Sequence, residues 1–254
     1  MYLWKCWRDT RYLFVTFLVV LMFFPSVFTI SARVGRMRTE AATPATGTLV
    51  PGESPEERIR SRAQSAWNSL VGFGLFFVVL AAVSLGSNSP GDDFRQGTLE
   101  YLLTRPRTRG YFVWSSWAVG IAEIIVLLLG CVAVRYAVIL HATGAFWTWR
   151  LAGAVPLLWC VASVSYGLSY FITMAARSGR IGVSCSLLVI ASYVFVSAFV
   201  RSRWRVDLPS PASGIDEWFS HPTAWFLVQK IWFWTIAAVV LPFVSQVMFE
   251  RAEP

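Results

Sequence analysis

Six runs of mostly apolar residues dominate this chain, each close to the roughly 20 that an α-helix needs to cross about 30 Å of hydrocarbon. They cover residues 12–30, 66–86, 111–134, 151–174, 181–200 and 224–249. None alternates with the period of two that a membrane-spanning β-strand would carry. Only 14% of the residues are charged, against about a quarter in soluble domains. The expected fold is therefore all-α and integral to the membrane, with six transmembrane helices in one domain over residues 1–254 and little chain left for a soluble module.

The net charge of +8 does not point to nucleic acid. Basic residues beside hydrophobic spans face anionic headgroups, so the expected partners of these cations are membrane lipids. Cys6, Cys131, Cys160 and Cys185 lie in or beside apolar runs without C-x-x-C spacing. They read as small hydrophobic residues rather than as a metal or disulfide framework.

Lys5, Arg8 and Arg11 precede the first run, as in a secretory leader, but the apolar stretch exceeds the usual signal core of about 7–15 residues. It reads as a retained helix, with Pro25 a kink near its far end. Residues 1–11 are rich in Trp and Arg, a composition suited to the headgroup layer. They form either an interfacial helix leading into the first span or plain flanking anchors. Charge does not orient the bundle. Ten basic residues fall on the side of the termini and eleven on the other, with Lys230 inside the sixth run, so the positive-inside rule is balanced.

The loop after the first run opens with turn-forming residues. It then offers a capping box at Ser54-Pro55-Glu56-Glu57, backed by Glu56 and Arg60 at i, i+4. Ser213 to Phe219 offers a second capped start, with Ile215, Trp218 and Phe219 as an apolar stripe for the membrane face. No Gly-Lys-Ser/Thr exists for a phosphate loop. His141 and His221, expected in separate loops, have no H-E-x-x-H context. No nucleophile has a base near it in sequence. The chain is expected to be non-catalytic and to bind no cofactor of its own.

Glu123 is the one carboxylate well inside an apolar run, which makes it a functional candidate by default. Substrate or proton handling, structural pairing with an Arg, and snorkelling to the lipid edge are its three readings. Gly72, Gly74 and Gly167 are expected to permit close helix packing. Ser163, Ser165, Ser169 and Thr173 supply small polar positions along the fourth run.

Between the second and third runs lies a dense polar loop, Asp92 to Arg109. Within it Leu99, Leu102 and Leu103 fall at i, i+3 and i+4, so a short helix there carries one apolar stripe on a water-exposed segment. The run Gly97-Thr98-Leu99-Glu100-Tyr101-Leu102-Leu103-Thr104-Arg105-Pro106-Arg107-Thr108-Arg109, with Asp92 and Asp93 before it, resembles the signature of ABC-2-type permeases, the membrane subunits of ABC transporters. The opening Leu3-Trp4-Lys5-Cys6-Trp7-Arg8-Asp9 is similar to that of some members. The chain departs from the pattern at Tyr111-Phe112-Val113, where members often carry a Lys, and at Arg107, where a small apolar residue is commoner.

The resemblance implies that this loop is cytoplasmic and holds a short coupling helix between spans two and three, seated on a separate P-loop ATPase subunit that carries ATP and Mg. Leu99, Leu102 and Leu103 would be buried against the ATPase. Thr98 lies within the same motif, Glu100, Arg105, Arg107 and Arg109 would supply polar rim or headgroup contacts, and Pro106 would end the helix. It further implies both termini in the cytoplasm, a bacterial inner-membrane location, and a second permease copy, identical or sister, completing the pathway. Two functional classes follow: a permease exporting an amphiphilic or lipid-like substrate, with Glu123, Ser165, Ser169 and Thr173 as polar pathway candidates, or a non-transporting scaffold that anchors partner proteins.

Overall fold

The computed structural model of the chain describes residues 3–21, 75–88, 109–143, 149–206, 208 and 224–251. Among these residues there is no strand, and six α-helices run in order. We number them α1 (3–21), α2 (Leu75–Asn88), α3 (Arg109–Thr143), α4 (Trp149–Ala176), α5 (Gly179–Trp204) and α6 (Ala224–Arg251). Four contain segments long and apolar enough to cross a bilayer: Gly110–Ala133, Val155–Ala176, Gly179–Trp204 and Val228–Met248. These are the third to sixth runs expected from sequence, and they make this a multi-pass α-helical membrane protein. The far part of the first expected run, including Pro25, lies outside the described residues. So do the start of the second run with Gly72 and Gly74, both capped segments at 54–57 and 213–219, and the loop 92–108.

Two boundaries differ from the sequence reading. Residues 3–21 form one unbroken helix, so Trp4, Lys5, Trp7 and Arg8 are the first turns of α1, continuous with the start of the first apolar run. The cause is local: nothing in residues 3–12 breaks a helix, and Lys5 and Asp9 pair at i, i+4 across 3.8 Å. At the other end of α3, the 35-residue helix is about 52 Å long at about 1.5 Å per residue, well beyond the hydrocarbon. Its last turns carry Arg135 and His141 past Ala133, where the apolar segment ends. His141 is therefore helical, not in a loop.

The bundle is organised around α4, which packs against α3, α5 and α6, while α3 also meets α6. Leu157, Leu158, Ala162, Tyr166 and Tyr170 of α4 are buried in one cluster with Val113, Ile124 and Leu128 of α3, Ala81, Ala82 and Leu85 of α2, and Leu21 of α1. Between helices in lipid there is no water to expel, so this cluster is held by van der Waals contact and by hydrogen bonds. Close approach is therefore decisive. A Cβ on Gly86 would stand 2.6 Å from the Tyr166 carbonyl oxygen and 3.2 Å from the Tyr170 amide nitrogen, so only glycine lets the α2 backbone touch α4 there. Gly182 plays the same part between α5 and Thr173 of α4. Gly167, expected to serve packing, does so: a Cβ there would lie 3.0 Å from Leu241 Cδ1 of α6.

Only Arg177 and Ser178 separate α4 from α5. Arg177 adopts φ 53°, the left-handed conformation that closes the tight turn, and the Gly182 amide then bonds the Ser178 carbonyl at 2.9 Å. Along α5 only Gly182 and Ser186 are buried. Leu188, Val194, Phe195 and Phe199 stand exposed, a surface suited to acyl chains. Three cysteines are buried, as expected, but Cys185 lies exposed on α5.

Replacing Gly86 with Val should destabilise the bundle by about 1–3 kcal/mol through overpacking against backbone that cannot yield. Thermal or denaturant unfolding in detergent checks this, with Phe76→Val on the exposed side of α2 as the neutral control.

Candidate functional site

Where α1, α2, α3 and α4 meet, the apolar interior is interrupted by a seam of buried polar groups. On α3, Ser116, Gly120 and Glu123 share one face at i, i+4 and i+7. On α4, Tyr166 and Tyr170 at i, i+4 stack with ring centroids 6.0 Å apart. A side chain at Gly120 would run into the Tyr166 phenol, so this glycine opens the space that the ring fills.

The hydroxyls are placed where they satisfy one another. Ser116 Oγ and Tyr170 OH lie 2.7 Å apart. Tyr170 OH also donates to the Val113 carbonyl at 3.2 Å, and Tyr166 OH donates to the Ser116 carbonyl at 3.3 Å. On the other side of α4, Ser169 Oγ donates to the Val83 carbonyl of α2 at 2.7 Å. A Ser or Tyr hydroxyl in hydrocarbon must find such a partner, and a helix carbonyl with a spare lone pair is the one at hand.

Glu123 is 4% exposed, which rules out snorkelling to the lipid edge. Its Oε1 accepts a hydrogen bond from Thr10 Oγ1 of α1. The partner is thus a hydroxyl from the first helix, not an arginine. Glu123 Oε2 is buried with no hydrogen-bond partner, and the same is true of Ser163 Oγ and Thr173 Oγ1. One residue before Thr10, the Asp9 carbonyl accepts from Asn88 Nδ2 at the end of α2, at 3.2 Å. Beyond the seam, Trp114 Nε1 of α3 donates to Gln246 Oε1 of α6 at 2.7 Å, which ties the sixth helix to the third.

The residues expected to matter thus divide in three. Glu123 and Ser169 both belong to the seam, where they bond to different helices, Glu123 to α1 and Ser169 to α2. Thr173 is fully buried at the α4–α5 contact, and Ser165 is buried on α4. Thr98, Leu99, Glu100, Leu102, Leu103, Arg105 and Pro106 lie outside the described residues. The sequence reading missed Thr10, Ser116, Tyr166 and Tyr170. A signal was present, since two tyrosines at i, i+4 inside an apolar run are polar tips that need partners. Their partners, however, lie 50 residues or more away in sequence. Among the described residues no three of His, Cys, Asp and Glu come together to hold a metal ion. What this arrangement does chemically is clamp helices.

Comparison with known families matches residues 4–217 to the ABC-2 family transporter proteins. The chain belongs to this family. The match begins within α1, takes in the four helices of the seam and runs beyond α5, leaving α6 outside it. No curated protein matches the chain, and no solved structure does. As an ABC-2 permease the chain is a membrane component of transport, not itself catalytic, of a kind that works with an ABC ATPase.

The seam makes a quantitative prediction for this permease. A double-mutant cycle on Ser116→Ala and Tyr170→Phe should give a coupling energy of about 0.5–1.5 kcal/mol in the stabilising direction, the range of interhelical hydrogen bonds in membranes. Unfolding of the four variants in mixed micelles measures it.

Proposed function

We propose that this chain is the pathway-forming permease of an ABC exporter of amphiphilic or lipid-like cargo, driven by a separate P-loop ATPase that binds ATP and Mg. The observation that carries the reading is the family match, which spans residues 4–217 and so includes the loop signature at 97–109. The absence of any Gly-Lys-Ser/Thr in the chain agrees with the nucleotide being handled by a partner.

In this reading Leu99, Leu102 and Leu103 form the apolar stripe of a coupling helix, with Thr98, Glu100 and Arg105 around it and Pro106 at its end. Closure of the ATPase then moves the spans as rigid bodies. Both termini face the cytoplasm of a bacterial inner membrane. Among the described residues, α1 to α4 enclose a core of packed side chains, so we place the pathway at a second copy of the permease or a sister chain. Glu123, Ser165, Ser169 and Thr173 are its polar candidates. They are packed within the bundle, and Thr173, at the contact of α4 with α5, is uncovered when those two helices part.

The test is purification of the tagged permease in mild detergent with the genes that neighbour its own co-expressed. A stoichiometric ATPase is expected with the native chain. With Leu99→Asp, Leu102→Asp and Leu103→Asp together, that ATPase should be lost while the permease still inserts and elutes as a folded species. Retained ATPase in the triple variant would sink the coupling-helix assignment. A native chain that never binds an ATPase would favour the scaffold reading.

A further inference from the structure

The interhelical hydrogen bonds described above close on themselves. Thr10 of α1 bonds Glu123 of α3. Ser116 of α3 bonds Tyr170 of α4 at 2.7 Å. Ser169 of α4 bonds the Val83 carbonyl of α2 at 2.7 Å, and Asn88 of α2 returns to the Asp9 carbonyl of α1 at 3.2 Å. Each link joins a different pair of helices, and together they visit α1, α3, α4 and α2 in a ring. Where a ring of four bodies is tied at every junction, no one helix slides without straining its two neighbours. In a bilayer, breaking such a link leaves polar groups without water to replace the partner.

The α5 helix stands outside this ring. It is seated on α4 at a glycine, Gly182 against Thr173, and only Gly182 and Ser186 along it are buried. Ser186 Oγ turns back to the Gly182 carbonyl of its own helix at 2.6 Å rather than across to α4. What holds α5 at this point is van der Waals contact between small groups, without the directional constraint that a hydrogen bond adds.

We propose that Thr10 and Glu123 are positioning residues that close this ring, so that α1, α2, α3 and α4 move as one body in the transport cycle while α5 shifts against them. The inference rests on the transport reading for the cycle, but the ring is a property of the permease alone. The sequence adds the mechanical point: α2 and α3 are the helices that lead into and out of the 92–109 loop, so a force applied there reaches both flanks of one body. Glu123 thereby acquires a structural role that depends on no contact with cargo.

The experiment uses pairs of spin labels on the full chain in nanodiscs, with the four native cysteines replaced by alanine. Labels at the exposed positions Val19 and Leu129 report α1 against α3, and Leu129 with Val196 reports α3 against α5. In the permease alone, Thr10→Val should broaden the Val19–Leu129 distance distribution, and Thr10→Ser should restore it. An unchanged distribution in Thr10→Val would overturn the ring. Should Thr10→Val fail to fold because Glu123 is stranded, Thr10→Val with Glu123→Leu removes both polar partners and is read in the same way. With the ATPase bound and trapped by vanadate, the Val19–Leu129 distance should stay within its resting width while Leu129–Val196 moves outside its own. Equal movement of both pairs would overturn the one-body claim. Failure of the ATPase to bind at all would count against the transport reading instead, with the ring still decided in the permease alone.

Discussion

The approach of α4 to its neighbours is the interaction on which the rest of this structure depends. In hydrocarbon the usual force for burying apolar side chains between helices is missing, because lipid tails are as apolar as leucine. What remains is contact distance and the need of every polar group for a partner. Glycine at 86, 120, 167 and 182 brings backbones and rings within reach, and the hydroxyls of Ser116, Ser169 and Tyr170 then find acceptors across the gap. Each condition serves the other. Without the glycines the hydroxyls would face lipid unpaired, and without the hydroxyls the close contacts would specify no single register.

This logic separates what could be read from sequence from what could not. Span positions 111–134, 151–174, 181–200 and 224–249 agree with apolar helical segments of nearly the same bounds, because membrane insertion depends on the total apolarity of a local window, which is a local quantity. The family was legible for a different reason. The signature at 97–109 is contiguous, and contiguous patterns survive reading one residue at a time. The polar seam was not legible. Ser116 with Tyr170, or Thr10 with Glu123, are pairings set by which helices lie side by side, and an apolar run carries no periodicity that announces its neighbours. Glu123 illustrates the boundary: its place inside the run marked it as a candidate with three readings open, and its partner is a threonine more than a hundred residues away rather than an arginine.

The continuous helix at 3–21 shows a subtler limit. Indoles and cations in the first turns resemble an interfacial segment, and composition alone distinguishes that from the start of a span only if a breaker intervenes. None does, and the i, i+4 pairing of Lys5 with Asp9 carries the helix through. The inner face of α1, from Cys6 and Thr10 to Leu21, is buried even though its outer face is charged and aromatic. The same helix therefore meets the bundle on one side and presents a mixed charged, aromatic and aliphatic face on the other.

The two-residue connection between α4 and α5 constrains how the chain is built as well as how it stands. Two apolar helices joined at Arg177 and Ser178 cannot choose their orientations separately during synthesis: fixing one fixes the other as its antiparallel mate. Arg177 and Arg180 at the turn favour one side of the membrane, while Arg201, Arg203 and Arg205 at the far end of α5 favour that same side for the opposite end. The hairpin thus carries competing orientation signals, which leaves weight to the helices synthesised before it. Substitutions that unbalance those arginines would act at the ribosome, on nascent topology, before any cargo or nucleotide is met.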